Sequence, residues 1–167
     1  YVDSFSQQKN NSKINDYLSK NFSVNPENLA VKSSVETNPN YDVYYIQQKL
    51  NGIDIHNAIN TLTVKGDKIH TVKNSFIDSS FGKSSLKEPL ISNYDAIQIA
   101  LSELNIDSFK NSPDGHLHTN HHNIEAKLIY ILNDDKLSLS WNFNFITTDN
   151  KNWYDVFADA ESGKVLK

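Results

Sequence analysis

The densest run of potential ligands in this 167-residue chain is Gly115-His116-Leu117-His118-Thr119-Asn120-His121-His122. Imidazole nitrogens bind divalent transition metals. In an extended segment His116 and His118 share a side, and in a helix His118 and His122 share a face. The run follows Pro113-Asp114-Gly115, a turn signature, and no ordered element flanks it to fix the rings in place. It reads first as a solvated loop. A metal held by His116, His118, His121 or His122 is the secondary reading.

Other catalytic patterns are missing. A zinc hydrolase needs two His one helical turn apart and a Glu to activate water, written H-E-x-x-H; the sequence has none. Without Cys there is no thiol nucleophile and no thiolate metal site. No G-x-S-x-G elbow or phosphate-binding glycine loop occurs. The adjacent carboxylates Asp134 and Asp135 fall between two strand-like runs, where Asp serves a turn by local hydrogen bonding. The chain is therefore expected not to be an enzyme, and to hold no cofactor of its own.

Composition narrows the partners. The net charge is −4 and all the basic side chains that pair with acids are Lys, with no Arg. The guanidinium fork that reads phosphate and guanine is thus absent, which argues against sequence-specific nucleic-acid binding. No run approaches the roughly 18 apolar residues that span a bilayer, so no membrane partner is expected. The chain also lacks Met. It is expected to be a processed piece of a longer product, consistent with a removed signal peptide. Two N-x-S triplets, at Asn10 and Asn21, are candidate glycosylation sites.

These residues need elements to position them. Residues 4–20 read as a polar helix with Phe5, Ile14, Tyr17 and Leu18 on one stripe. Leu29 to Glu36 reads as a strand. Tyr41 to Leu50, rich in aromatic and β-branched residues, is another, and Asn51-Gly52 after it is a strong hairpin signal. From Ala58 to Lys65, Ile59, Thr61 and Thr63 take one face while Leu62 and Val64 take the other. Gly66-Asp67 turns into a further strand, Lys68 to Ile77. Residues 79–91 form a Ser/Gly-rich connector. Ser92 and Asp95 have capping-box spacing for a helix from Asn93 to Asn105. Residues 107–123 are irregular. Glu125 to Leu132 and Leu137 to Thr147 are strands around the turn at Asn133-Asp134-Asp135. In the second, Leu137, Leu139, Trp141, Phe143 and Phe145 alternate with Ser138, Ser140, Asn142 and Asn144, predicting one buried face. Trp153 to Ala158 pairs back, and Glu161-Ser162-Gly163 turns into Lys164-Val165-Leu166. The fold class is α+β: two small subdomains, residues 1–78 and 92–167, each a helix packed on an antiparallel sheet.

The segment Tyr44-Tyr45-Ile46-Gln47-Gln48-Lys49-Leu50-Asn51-Gly52-Ile53-Asp54-Ile55-His56-Asn57-Ala58 resembles the propeptide motif of fungalysin and thermolysin precursors. Gln47, Asn51, Gly52, Asn57 and Ala58 carry that likeness, and Asn74-Ser75-Phe76 looks like the fungalysin version. The second half is similar to a PepSY repeat, with Ala96 and Ala100 on its helix and a closing Val156-Phe157-Ala158-Asp159-Ala160-Glu161-Ser162-Gly163-Lys164-Val165-Leu166. The His-rich loop is not part of that pattern.

The resemblance implies the pro-region of a secreted, extracellular zinc metalloendopeptidase. Such a module inhibits the downstream catalytic domain and assists its folding, so that domain is the expected partner and the zinc belongs to it. Inhibition needs an interface of roughly 1,600 Å², part of which could come from strand addition at a sheet edge. Lys164, Val165, Leu166 and Lys167 would lie nearest the protease. The alternative is a free-standing extracellular binding or inhibitor module of the same fold.

Overall fold

A computed structural model describes residues 4–38, 41–78, 82–83, 87–110 and 124–167. The chain divides into two compact units, Tyr1–Phe81 and Gly82–Lys167, taken here in turn.

The first unit opens with helix α1 (Ser4–Asn21). It ends where Asn21 Nδ2 donates to Tyr17 O at 2.8 Å, and a short 3₁₀ turn (Pro26–Asn28) follows. Four strands then form an antiparallel meander: β1 (Leu29–Asn38), β2 (Tyr41–Leu50), β3 (Ile53–Lys65) and β4 (Lys68–Lys73). Ile14 and Leu18 of α1 bury against Tyr44, Ile46, Leu62 and Val64. Cross-strand partners share a face, so these four residues define the helix side of the sheet. Tyr17 closes the contact from the helix, its hydroxyl 3.0 Å from Thr71 Oγ1.

β2 and β3 join through Asn51 (φ 51°) and Gly52 (φ 79°). Two consecutive positive φ angles make a type I′ turn, whose twist matches that of the flanking strands. A side chain at Gly52 meets open space, so substitution there acts through the backbone alone. Gly52→Val is expected to lower stability by more than about 1–2 kcal/mol, the cost of a left-handed conformation for an ordinary L-residue, because Val is β-branched. Urea unfolding checks it; an unchanged midpoint would remove the turn assignment.

Two features of this unit differ from expectation. The fourth strand stops at Lys73, not at Ile77. Beyond it the backbone donors turn to side chains: Ser75 N–H to Asn60 Oδ1 at 2.5 Å, Phe76 N–H to Asn74 Oδ1 at 3.1 Å and Ile77 N–H to Gln48 Oε1 at 2.7 Å. Side-chain acceptors have replaced a strand ladder. The second is a bulge in β3: Gln47 pairs with Ile59 and Lys49 with Asp54, so residues 55–58 face a single residue of β2.

In the second unit β8 (Lys136–Thr147) is the central strand. β7 (Ala126–Asn133) and β9 (Trp153–Asp159) flank it, both antiparallel. Two short strands complete the pairing, β6 (Phe109–Lys110), antiparallel to β8, and β5 (Gly82–Lys83), parallel to it. The expected purely antiparallel sheet is therefore corrected to a mixed one. Parallel pairing needs a long connection, and the chain between β5 and β8 contains helix α2 (Asn93–Glu103), β6 and β7. Ser92 caps α2: its Oγ accepts from Asp95 N–H at 3.1 Å and donates to Asp95 Oδ2 at 2.7 Å. The helix stops two residues short of Asn105, which takes φ 55°.

Ala96, Ile97, Ala100 and Leu101 of α2 bury against Phe143, Phe145, Val156 and Ala158. Trp141 is only half-buried; its Nε1–H donates to Ile91 O at 3.1 Å. The expectation of one buried face on β8 also needs correction. Ser140 is fully buried and Asn142 nearly so. Their pairing partners Ile129 and Phe157, together with Ile131 and Leu166, form a second apolar cluster. Small polar residues on a central strand are covered when the strands beside it contribute the large apolar ones. Asn142 keeps its donors satisfied at Asp155 Oδ1 (2.6 Å) and Val156 O (3.2 Å).

Candidate interaction surface

The residues singled out from the sequence fall into three places. Asn51 and Gly52 make the β2–β3 turn. Gln47, Asn57 and Ala58 meet at the bulge. Gln47 Nε2 lies 2.7, 2.8 and 3.2 Å from the carbonyl oxygens of Gln48, Ile55 and Ala58. Asn57 takes φ 59°, a conformation that Asn tolerates better than most residues. Ala58 is fully buried. Gln48, which no sequence signal marks out, works beside them: its Nε2 donates to Ile77 O at 2.8 Å while its Oε1 accepts from Ile77 N–H. Together these amides turn the irregular backbone of the bulge and of residues 74–78 into satisfied structure. Their role in the structure is architectural.

Removing Gln47 leaves buried carbonyls without a donor. Gln47→Ala is expected to cost about 1–3 kcal/mol. Gln47→Glu should cost more at neutral pH, because a carboxylate would then face three carbonyl oxygens. Equal unfolding midpoints for Gln47→Glu and the natural chain would show that the amide is not the donor.

The C-terminal residues Lys164, Val165, Leu166 and Lys167 are tied to the outer edge of β9. Asp159 N–H donates to Lys164 O (2.8 Å), Leu166 N–H to Phe157 O (2.7 Å) and Phe157 N–H to Lys167 O (3.0 Å). Val165 N–H donates to Glu103 Oε2 at 3.0 Å, which links the tail to the end of α2. The turn before it is built on Asp159, whose Oδ1 accepts from Glu161 N–H, Ser162 N–H and Ser162 Oγ–H. This sheet edge is thus taken by the chain itself. β1, an edge of the first unit, carries two register irregularities, a feature that hinders pairing with another strand.

A face is open instead. On the side of the first sheet away from α1, Val35, Tyr45 and Ile59 are exposed by 38–45%, with Val43, Thr61 and Thr63 half-buried between them. The register lays Val35 beside Val43, Val43 beside Thr63, and Tyr45 beside Thr61.

His116, His118, His121 and His122 lie outside the described residues. Among the described residues no group of three or more His, Asp or Glu side chains is placed to hold a metal ion. Asp134 and Asp135, with φ 47° and 59°, are the corner of the β7–β8 turn. Asp149 corners the β8–β9 turn, and its carboxyl is held below the usual carboxylate range, chiefly by the Thr147 hydroxyl at 2.6 Å and then by Lys151 N–H at 3.1 Å. Its contribution is present above the unfolded-state pKa and fades as pH falls through the lowered folded-state value. Asn21 is exposed, although its Nδ2, the atom a glycan would take, is engaged with Tyr17 O. Asn10 lies within α1. No described helix is long and apolar enough to cross a membrane.

Residues 91–167 match the PepSY family, described as peptidase propeptide and YPEB domain. The matched region takes in α2, β6 to β9 and the tail, and ends on the Asp159 turn and the strand pairing after it. Among solved structures, the Bacillus megaterium YpeB C-terminal domain aligns with 100% of this chain at 16% identity and a TM-score of 0.39. This chain spans 66% of that one. No curated protein sequence matches.

Proposed function

We propose that this chain is the pro-region of a secreted, extracellular zinc metalloendopeptidase of the fungalysin type. It restrains and helps to fold a catalytic domain that follows it. The observation that carries this reading is the PepSY match over residues 91–167, a family whose description includes peptidase propeptides. The order of fungalysin-like motifs from Tyr44 to Phe76 adds to it. In this reading the chain has no catalytic residues and no cofactor, and the zinc sits in the catalytic domain. A domain with slow, non-local contacts gains from a preformed surface to fold against. Tethering raises the effective concentration of inhibitor, and cutting the chain removes that advantage.

The family description is not confined to peptidase propeptides, since it also names YPEB domains, and the second reading is a free-standing extracellular protein-binding or inhibitor module of the same fold. An assay of mature metalloprotease with added chain separates the two. Inhibition at micromolar concentration is expected, together with no peptidase activity of the chain alone in zinc. Absence of inhibition would leave the binding module, and zinc-dependent cleavage by the chain itself would overturn both.

A further inference from the structure

Residues 74–77 lie on the first unit's sheet without belonging to its ladder. The β3–β4 register ends at Lys73, and among the described residues no backbone–backbone hydrogen bond ties residues 74–77 to a strand. Two amide side chains of the sheet hold them instead. Gln48 grips both backbone groups of Ile77: its Nε2 donates to Ile77 O at 2.8 Å, and its Oε1 accepts from Ile77 N–H at 2.7 Å. Asn60 Oδ1 accepts from Ser75 N–H at 2.5 Å, and its Nδ2 donates to Asn74 Oδ1 at 3.2 Å. Asn60 is fully buried and Gln48 is 7% exposed. Asn60 stands opposite Ile46 in the β2–β3 register, and Gln48 is two residues on from Ile46, so both amides work on the face that carries α1. Between them the Phe76 ring meets Phe22 edge-on at 5.4 Å, at the margin of the core beneath α1.

This attachment is weaker than a strand ladder. None of residues 74–77 is buried, and the buried core beneath α1 is made of Ile14, Leu18, Tyr44, Ile46, Leu62 and Val64, all outside the segment. When the segment lifts, water can take over the hydrogen bonds of Gln48 and Asn60, so no polar group is left buried and unpaired. Lifting β4, by contrast, breaks its ladder with β3. Segments with few buried apolar contacts are the ones that open while the rest of a domain stays folded.

We propose that residues 74–77 are a latch, opening and closing as one unit while the sheet beneath stays folded. Closed, it fastens the chain at Ser75 and Ile77, ahead of the second unit that begins at Gly82. Open, it leaves the last ladder contact at Lys73 and uncovers Gln48, Asn60 and the edge of Phe22. The chain that leads to Gly82 thereby has a second, longer-tethered state that needs no unfolding of the first sheet.

Native-state hydrogen exchange of the full chain, read residue by residue by nuclear magnetic resonance at increasing urea, tests the latch. The Ser75 and Ile77 amides are expected to exchange about a hundredfold or more faster than the slowest amides of β2 and β3. Their rates should depend little on urea, because opening exposes little surface. Gln48→Ala removes the partner of Ile77 alone, yet it should speed exchange at Ser75 and Ile77 alike, by about tenfold, since the two are released together. Phe76→Ala leaves both amide grips in place and should also speed both, which keeps the test open if Gln48→Ala fails to fold. Two results overturn the proposal. Exchange of Ser75 and Ile77 at the rate and urea dependence of the slowest β2 and β3 amides would mean that the segment leaves only when the sheet unfolds. Acceleration confined to Ile77 in Gln48→Ala, or absent from both amides in Phe76→Ala, would mean that the contacts break one at a time.

Discussion

Replacing Gly163 with alanine is expected to destabilise the second unit by about 2–5 kcal/mol, from left-handed backbone strain and overpacking together. Gly163 has φ 77° and is buried in the turn that sends the tail back along β9. A Cβ built there falls 2.6 Å from Ile99 Cδ1, 3.0 Å from Ile99 Cβ and 3.2 Å from Ile91 Cδ1. A rotamer change can move Ile99 Cδ1, but Ile99 Cβ is fixed to the helix backbone. Relief therefore requires α2 to shift or the turn to open. Opening the turn would break the hydrogen bonds from Val165 to Glu103 and from Leu166 to Phe157. Gly66→Ala supplies the control, since Gly66 also has positive φ but nothing within 4 Å of its Cβ. Only the strain, about 1–2 kcal/mol, should be lost there. Equal urea midpoints for the two variants would mean that the contact with Ile99 does not constrain the turn.

The second large effect is expected at the centre of the same unit. Phe145→Ala should cost about 3–5 kcal/mol, the usual range for a fully buried phenylalanine. Its ring stands 5.6 Å from Phe109 and 5.2 Å from Tyr154, and 6.4 Å from Phe143. Truncation opens a cavity between three rings that β6, β8 and β9 hold in place, so little collapse can fill it. Phe143→Ala, at 1% exposure, should fall in the same range. Trp141→Phe is the contrast. Trp141 is half-buried, and its loss of the bond to Ile91 O should cost about 1 kcal/mol. Chemical unfolding followed by near-ultraviolet dichroism measures all three. A loss below about 1 kcal/mol for Phe145→Ala would place that face outside the core.

Local chemistry was legible without coordinates. Asn51-Gly52 and Gly66-Asp67 specify turns because their residues reach positive φ cheaply. Ser92 and Asp95 mark a helix start because their side chains satisfy donors within three residues. The alternation around Phe143 and Phe145 assigns the face beneath α2, because strand side chains change sides at every residue. The closing residues from Val156 to Leu166 likewise read as a PepSY ending from their order alone. Each of these signals lies within about a dozen residues of sequence.

What only the tertiary structure decided involves distant partners. Ser140 and Asn142 look solvent-facing along β8, and they are buried because Ile129, Ile131, Phe157 and Leu166 come in from other strands and the tail. Residues 74–77 look like strand, yet Asn60 and Gln48 of earlier strands take their backbone donors. Gln47 looks like a polar strand residue until the bulge brings the Ile55 and Ala58 carbonyls to its amide. Burial is a property of the assembled sheet, since it depends on which residues far apart in the chain come to lie side by side.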